Sequence, residues 1–229
     1  MDIGKSFTYM FDDERWVQKL VIGGLLALVS VIPLVNVFTA PVIMGYSLRL
    51  LRNVAQKEEK PLPEWDDWGG DWVRGILAIL AGIIYAIPIW IVSLFSWIAS
   101  YMAGYNDPAQ VDGFLGFCMV VLSCLSALWG LLIAIVYPAA QIKYATEGQF
   151  ASFFKFGEIF PFIRDNLSNY IVAILLTLVA GLIGGLGVIL CVIGFFFTYF
   201  WALLVESHLY GQVKAESEPP AAEAEGAEA

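Results

Sequence analysis

Four stretches of this chain contain no Asp, Glu, Lys or Arg: Leu20 to Leu48, Gly75 to Asn106, Gly113 to Ile142 and Asn166 to Val205. A hydrocarbon layer of about 30 Å is crossed by about 20 helical residues, so each stretch is long enough to span a bilayer. Inside lipid the backbone must satisfy its own hydrogen bonds, which selects α-helix for uninterrupted apolar runs of this kind. The composition agrees, with 59% hydrophobic and 14% charged residues against about 45–50% and about 25% in soluble domains. Twelve Lys and Arg stand against 21 Asp and Glu, a net charge of −9. That balance excludes a nucleic-acid partner, which needs a basic stripe.

The number of passes follows from charge. If the first stretch crossed only once, the basic loop of Arg49, Arg52, Lys57 and Lys60 would lie opposite Lys5, Arg15 and Lys19, against the preference of basic loops for the cytoplasm. Folding Trp16 to Leu51 back on itself at Pro33-Leu34-Val35-Asn36 removes the conflict, because proline breaks a helix and asparagine suits a turn. The last stretch divides in the same way at Gly184-Gly185-Leu186-Gly187. The two middle stretches are single passes joined by an outer loop, Tyr101 to Asp112, turning at Asn106, Asp107 and Pro108. The expectation is an all-α polytopic membrane bundle: six transmembrane helices in three hairpins, both termini cytoplasmic, and all twelve Lys and Arg on one face of the plasma membrane.

Each hairpin opens with an aromatic-rich stretch that ends in arginine: Phe7 to Arg15, Leu62 to Arg74 and Phe150 to Arg164. Apolar residues at helical spacing with charges between them are the pattern of an amphipathic helix lying in the membrane interface. The second of these stretches, with Leu62, Pro63, Glu64, Trp65, Asp66, Asp67, Trp68, Trp72 and Arg74, is the candidate membrane-interface motif. Its tryptophans are expected at headgroup depth and its acids in water. Glu58, Glu59, Glu64, Asp66, Asp67 and Asp71 also form the densest acidic cluster. Such a cluster can hold a divalent cation, but a magnesium-dependent headgroup enzyme would need a second acidic cluster, which is missing, so the chain is expected not to be an enzyme.

The run Pro61-Leu62-Pro63-Glu64-Trp65-Asp66-Asp67-Trp68-Gly69, followed by Arg74-Gly75 and a long apolar segment, resembles the signature of a prokaryotic membrane family known as domain of unknown function 4013. Phe11-Asp12-Asp13-Glu14-Arg15-Trp16 and Gly45-Tyr46 ahead of Arg49 and Arg52 fit the same pattern. The resemblance covers about residues 1 to 212 and implies an integral membrane protein of bacteria or archaea. It transfers no mechanism.

Cys118, Cys124 and Cys191 show no Cys-x-x-Cys spacing and His208 is the one histidine, so no metal or other cofactor is expected. Pro41, Pro88 and Pro138 are expected to kink apolar helices, each freeing a carbonyl that a neighbour must satisfy. Glu206, at the end of the last charge-free stretch, is the one acid near the apolar core and is read at the membrane edge. Asp12, Asp13 and Glu14 ahead of the first apolar run argue against a cleaved signal. Residues 1–212 form the integral membrane domain. Residues 213–229, rich in glutamate and free of basic residues beyond Lys214, are read as a disordered cytoplasmic tail. The preferred function is a non-enzymatic membrane scaffold, assembly or lipid-interacting component, with membrane lipids and other membrane proteins or further copies of itself as partners. The alternative is an uncoupled permease or facilitator for an uncharged or weakly charged solute.

Overall fold

The computed structural model describes residues 1–102 and 113–217, and all regular structure among them is helical. In chain order the helices are α1 (Ile3–Thr8), α2 (Trp16–Val29), α3 (Pro33–Ala55), α4 (Trp68–Met102), α5 (Gly113–Glu147), α6 (Phe156–Asp165), α7 (Leu167–Gly185) and α8 (Cys191–Ser217). Short 3₁₀ turns cover Tyr9–Asp12, Phe150–Phe154 and Leu186–Leu190. Five of the helices, α3, α4, α5, α7 and α8, are long and apolar enough to cross a membrane. The remaining apolar helix, α2, has 14 residues.

The first charge-free stretch does break in two, but the break is Ser30 to Ile32, and Pro33 is the first residue of α3. Proline is favoured there because its fixed φ suits a first turn and its missing N–H would have no partner anyway. The turn is held by side chains: Asn36 Nδ2 donates to the Ser30 carbonyl at 2.8 Å, and the Ser30 and Thr39 hydroxyls lie 2.5 Å apart. The last stretch breaks after Gly185, where the glycine run passes through the 3₁₀ turn into α8. The expected outer loop falls on residues 103–112, outside those described. Residues 213–217, read as the start of a tail, instead complete α8, and Val213 is fully buried. The rest of that expected tail lies outside the described residues.

The chain divides into two compact units, Met1–Ile79 with Pro138–Ala229, and Leu80–Tyr137. In the larger unit α8 packs against α2, α3 and α7, and α1 packs on α8. Its core joins Met10, Ala27, Ile43, Tyr46, Leu50 and Phe200. Along the α7–α8 pair, Thr198 Oγ1 donates to the Gly184 carbonyl at 2.6 Å, and the Tyr170 and Tyr210 rings stand 5.9 Å apart. The smaller unit takes in α4 from Leu80 to its end and α5 as far as Tyr137. There Tyr85 and Tyr137 meet edge to face at 5.7 Å, and a side chain at Gly130 would touch Ile89. Large apolar side chains such as Ile91, Leu94, Phe117 and Leu128 are exposed along this unit.

The three prolines all sit inside continuous helices. Pro41 cannot bond to Val37, four residues back, and that carbonyl instead accepts the indole N–H of Trp72 at 3.3 Å. Near Pro88, Trp129 Nε1 donates to the Tyr85 carbonyl at 2.9 Å. An indole thus meets a main-chain carbonyl near two of the prolines.

Candidate functional site

The candidate motif does not form a second amphipathic helix. Residues 56–67 are turns and irregular chain, and α4 begins only at Trp68. Pro61 and Pro63 supply no backbone N–H to a helical turn and bias their neighbours away from helix. The segment is bonded to what surrounds it: Asn53 Nδ2 donates to the Pro61 carbonyl at 3.0 Å, and Tyr46 Oη to the Pro63 carbonyl at 2.8 Å. Leu62 and Pro63 are buried.

Trp65, expected at headgroup depth, stacks on Tyr46 with ring centroids 4.0 Å apart and donates its indole N–H to the Lys19 carbonyl at 3.1 Å. A stacked pair of this kind contributes about 0.5–1.5 kcal/mol beyond its buried area. Trp72 is occupied with the Val37 carbonyl. Of the three tryptophans expected at the interface, Trp68 is the exposed one, at 44%.

The acids expected to face water mostly meet cations from other segments. Lys19, which is buried, contacts Asp13 at 2.6 Å and Glu64 at 2.7 Å, and donates to the Leu62 carbonyl at 3.0 Å. Arg15 reaches the same Glu64 oxygen at 2.7 Å. Arg49, near the end of α3, spans Asp66 at 2.7 Å and Asp71 at 2.9 Å and also donates to the Glu64 carbonyl. Arg74 closes the chain of charges by binding Asp71 and Asp67, each at 2.8 Å. Asp71 is thereby held between two arginines and is fully buried. Asp67 also accepts the Gly70 N–H at 3.0 Å, the bond of an N-cap at the start of α4.

These contacts set the protonation of the outer acids. The hydrogen bond from Arg49 holds the exposed Asp66 carboxyl below its ordinary range. Arg74, followed by the Gly70 N–H, does the same for Asp67. Burial pushes Asp13 up, but the bonds from Lys19 and the Arg15 N–H outweigh it, and the carboxyl ends below its ordinary range. Glu58 and Glu59 are exposed in the turn after α3, apart from this network. Among the described residues no group of three or more His, Cys, Asp or Glu is placed to hold a metal ion.

Close backbone approach makes the network possible. A Cβ added at Gly45 would lie 1.8 Å from the Asp71 carbonyl oxygen, and one at Gly75 would lie 1.8 Å from that of Pro41. Only glycine lets α3 and the start of α4 meet at this distance, which places Arg49 beside Asp71. The identity of the cations, above all Arg49 and Lys19, was missed in the motif. The available signal was the Gly45-Tyr46 pair one turn before Arg49.

The third aromatic stretch contains a ten-residue helix, α6. In α6, Ile159 and Ile163 are buried while Phe156 and Phe160 are exposed. The turn before it is fastened by Phe153, fully buried and stacked on Tyr144 at 4.5 Å. The first stretch is α1 and the 3₁₀ turn Tyr9–Asp12, with Tyr9 stacked on His208 at 4.1 Å. Pro41 belongs to the close approach just described. Cys118 and Cys124 are free thiols.

The uncharacterized protein MJ1189 of Methanocaldococcus jannaschii is 30% identical over 155 residues, covering 67% of this chain and 48% of that protein. The chain thus spans about half the length of this relative. No solved structure matches it significantly. The sequence profile described as protein of unknown function (DUF4013) matches residues 25–193, which include both glycines of the close approach and the whole Leu62–Arg74 segment. With most of its length matched, the chain belongs to the DUF4013 family of proteins of unknown function.

Proposed function

We propose that this protein is a non-enzymatic component of the plasma membrane, a scaffold or assembly factor in contact with lipid, with six passes in three hairpins and both termini cytoplasmic. One observation carries the reading: in the densest acidic segment, Glu64, Asp66, Asp67 and Asp71 are all bound to Arg15, Lys19, Arg49 and Arg74. Carboxylates used in this way fasten helices together and leave none of the four free to ligate a catalytic cation. Antiparallel contacts support the hairpins, with Tyr85 against Tyr137 in one and Gly184 against Thr198 in another. The exposed Trp68, Phe156 and Phe160 supply the apolar surface for the interface. The long exposed apolar faces of α4 and α5 suit lipid, a second copy or another membrane protein.

Two measurements test this. Labels placed at Asn106 and at each terminus in intact cells should react from outside at Asn106 alone. Termini on opposite faces would end the six-pass reading. Extraction with native lipid should retain a defined lipid or protein partner, and a bare monomer without either would end the scaffold reading.

A second reading, a facilitator for an uncharged or weakly charged solute, draws on a cavity of about 350 Å³ among α2, α3 and α8. Ser30 and Asn36 are polar points in its otherwise largely apolar wall, with Ile43, Met44, Phe196 and Leu203. Absence of flux across a broad solute panel in proteoliposomes would remove its support.

A further inference from the structure

Glu206 is not at the end of its helix. The charge-free stretch stops there, but α8 continues to Ser217, and Glu206 lies about 22 Å along the axis from Cys191 at 1.5 Å per residue. Its side chain lines a cavity of about 380 Å³ between α7 and α8. The other walls include the small residues Gly181, Gly184 and Ala202, the aromatic residues Phe195 and Tyr199, the aliphatic Leu203 and the hydroxyl-bearing Thr177. Phe195 and Tyr199 lie nearly parallel, with centroids 6.0 Å apart. Thr177 Oγ1 is sealed from solvent and makes no well-formed hydrogen bond, although the Tyr210 phenol lies beside it.

Among the described residues no cationic side chain pairs with Glu206. Glu206 is half-buried, and the phenols of Tyr170, Tyr199 and Tyr210 stand near enough to interact with it. A half-buried carboxylate that lines a largely apolar cavity without a counter-charge is disfavoured, and a proton or an external cation relieves it. An ionisable residue inside a membrane helix is for this reason a mark of function.

We propose that this cavity binds an organic ammonium group, with Glu206 as its counter-ion and Phe195 and Tyr199 as its aromatic wall. The proposal stands independently of whether the protein scaffolds or conducts. A bare metal ion fits poorly, since calcium takes six to eight oxygens and magnesium about six, whereas the wall offers one carboxylate and two hydroxyls. An alkylammonium brings its own apolar substituents to match Gly184 and Ala202. It also satisfies the carboxylate while its positive charge meets ring faces. The volume falls within the ordinary range of small-molecule sites, about 300–1,000 Å³. The ammonium comes either from a free amine or from an ethanolamine lipid headgroup.

The test uses the full chain in dodecyl maltoside, which carries no ammonium, with propylammonium and its neutral counterpart propanol titrated by calorimetry. Saturable binding of propylammonium and none of propanol is expected. Glu206→Gln should weaken the amine by at least about thirtyfold, the loss typical when one partner of a buried charge pair is truncated. Tyr199→Leu should weaken it by about threefold to tenfold, and this variant keeps the test alive if the first fails to fold. Displacement of the amine by added phosphatidylethanolamine, but not phosphatidylglycerol, supports a headgroup ligand. Displacement by neither supports a free amine. Equal binding of propanol, unchanged affinity in a folded Glu206→Gln chain, or no saturable amine binding would overturn the proposal and leave Glu206 a protonated acid.

Discussion

The Leu62–Arg74 segment and the α7–α8 wall both carry acids against apolar surroundings, yet they handle them in opposite ways. Asp71 is buried between Arg49 and Arg74, and Glu64 is shared by Lys19 and Arg15. Glu206 faces a cavity with phenols and a hydroxyl around it and no cationic partner among the described residues. The difference separates structure from binding. A carboxylate whose counter-charge is built into the fold tightens the fold, while one left without a counter-charge stores a demand that something from outside must meet.

The contrast is broken most severely at Asp71. Asp71→Ala leaves Arg49 and Arg74 facing each other without the carboxylate between them, and removal of one partner from a buried ion pair costs about 3–5 kcal/mol. Unfolding midpoints in denaturant should fall accordingly, and an unchanged midpoint would show that the network does not hold α3 to α4. Gly45→Ala attacks the same contact through the backbone. Its methyl would sit 1.8 Å from the Asp71 carbonyl, so the two helices must part, with a loss of about 1–3 kcal/mol as in other overpacked sites. Gly69→Ala, with open space around its added Cβ, is the matched control for the intrinsic effect of alanine on a helix.

Much of the architecture was legible because charge is costly in an apolar helix and its gaps are plain in the sequence. Pro33 and the Gly184–Gly187 run announced the two breaks within those gaps. The pairing of charges was hidden, since Lys19 meets Glu64 and Arg49 meets Asp71 only after α2, α3 and α4 have packed. Leu62, Trp65, Trp68 and Trp72 have helical spacing, yet Pro61, Pro63 and the Tyr46–Trp65 stack impose an irregular path that spacing alone does not reveal. Glu206 was misplaced for the opposite reason. The end of a charge-free stretch resembles the end of a helix, but α8 carries Glu206, His208 and Lys214 in one continuous rod.

Glu206 itself sharpens the comparison, with a smaller effect of opposite sign. Glu206→Leu removes an acid that has no built-in partner and fills apolar space, so stability without ligand should stay level or rise by about 1 kcal/mol. A loss as large as that at Asp71 would mean that Glu206 is part of the fold's own charge network, and the two regions would no longer differ in kind.

The smallest effect is a dependence on acid. Asp13 and Asp67 both titrate below the ordinary carboxylate range in the folded chain. Unfolded, each returns to about 3.9. The folded state therefore binds fewer protons, and these groups stabilise it fully above about pH 4, with the contribution lost as pH falls through the lower folded values. Midpoints measured from pH 7 downward should hold until about pH 4 and then decline. Asp67→Asn should flatten part of that decline while shifting the neutral midpoint little, because the carboxylate is 44% exposed and solvent screens such pairs. Salt near 1 M, where the screening length is about 3 Å, should shrink the Asp67 share but spare most of the share of Asp13, whose side chain is 11% exposed beside a buried lysine. If salt erased both shares equally, Lys19 and Asp13 would be a surface pair, and the contrast between an internally matched network and a solitary acid at Glu206 would lose its buried member in α2.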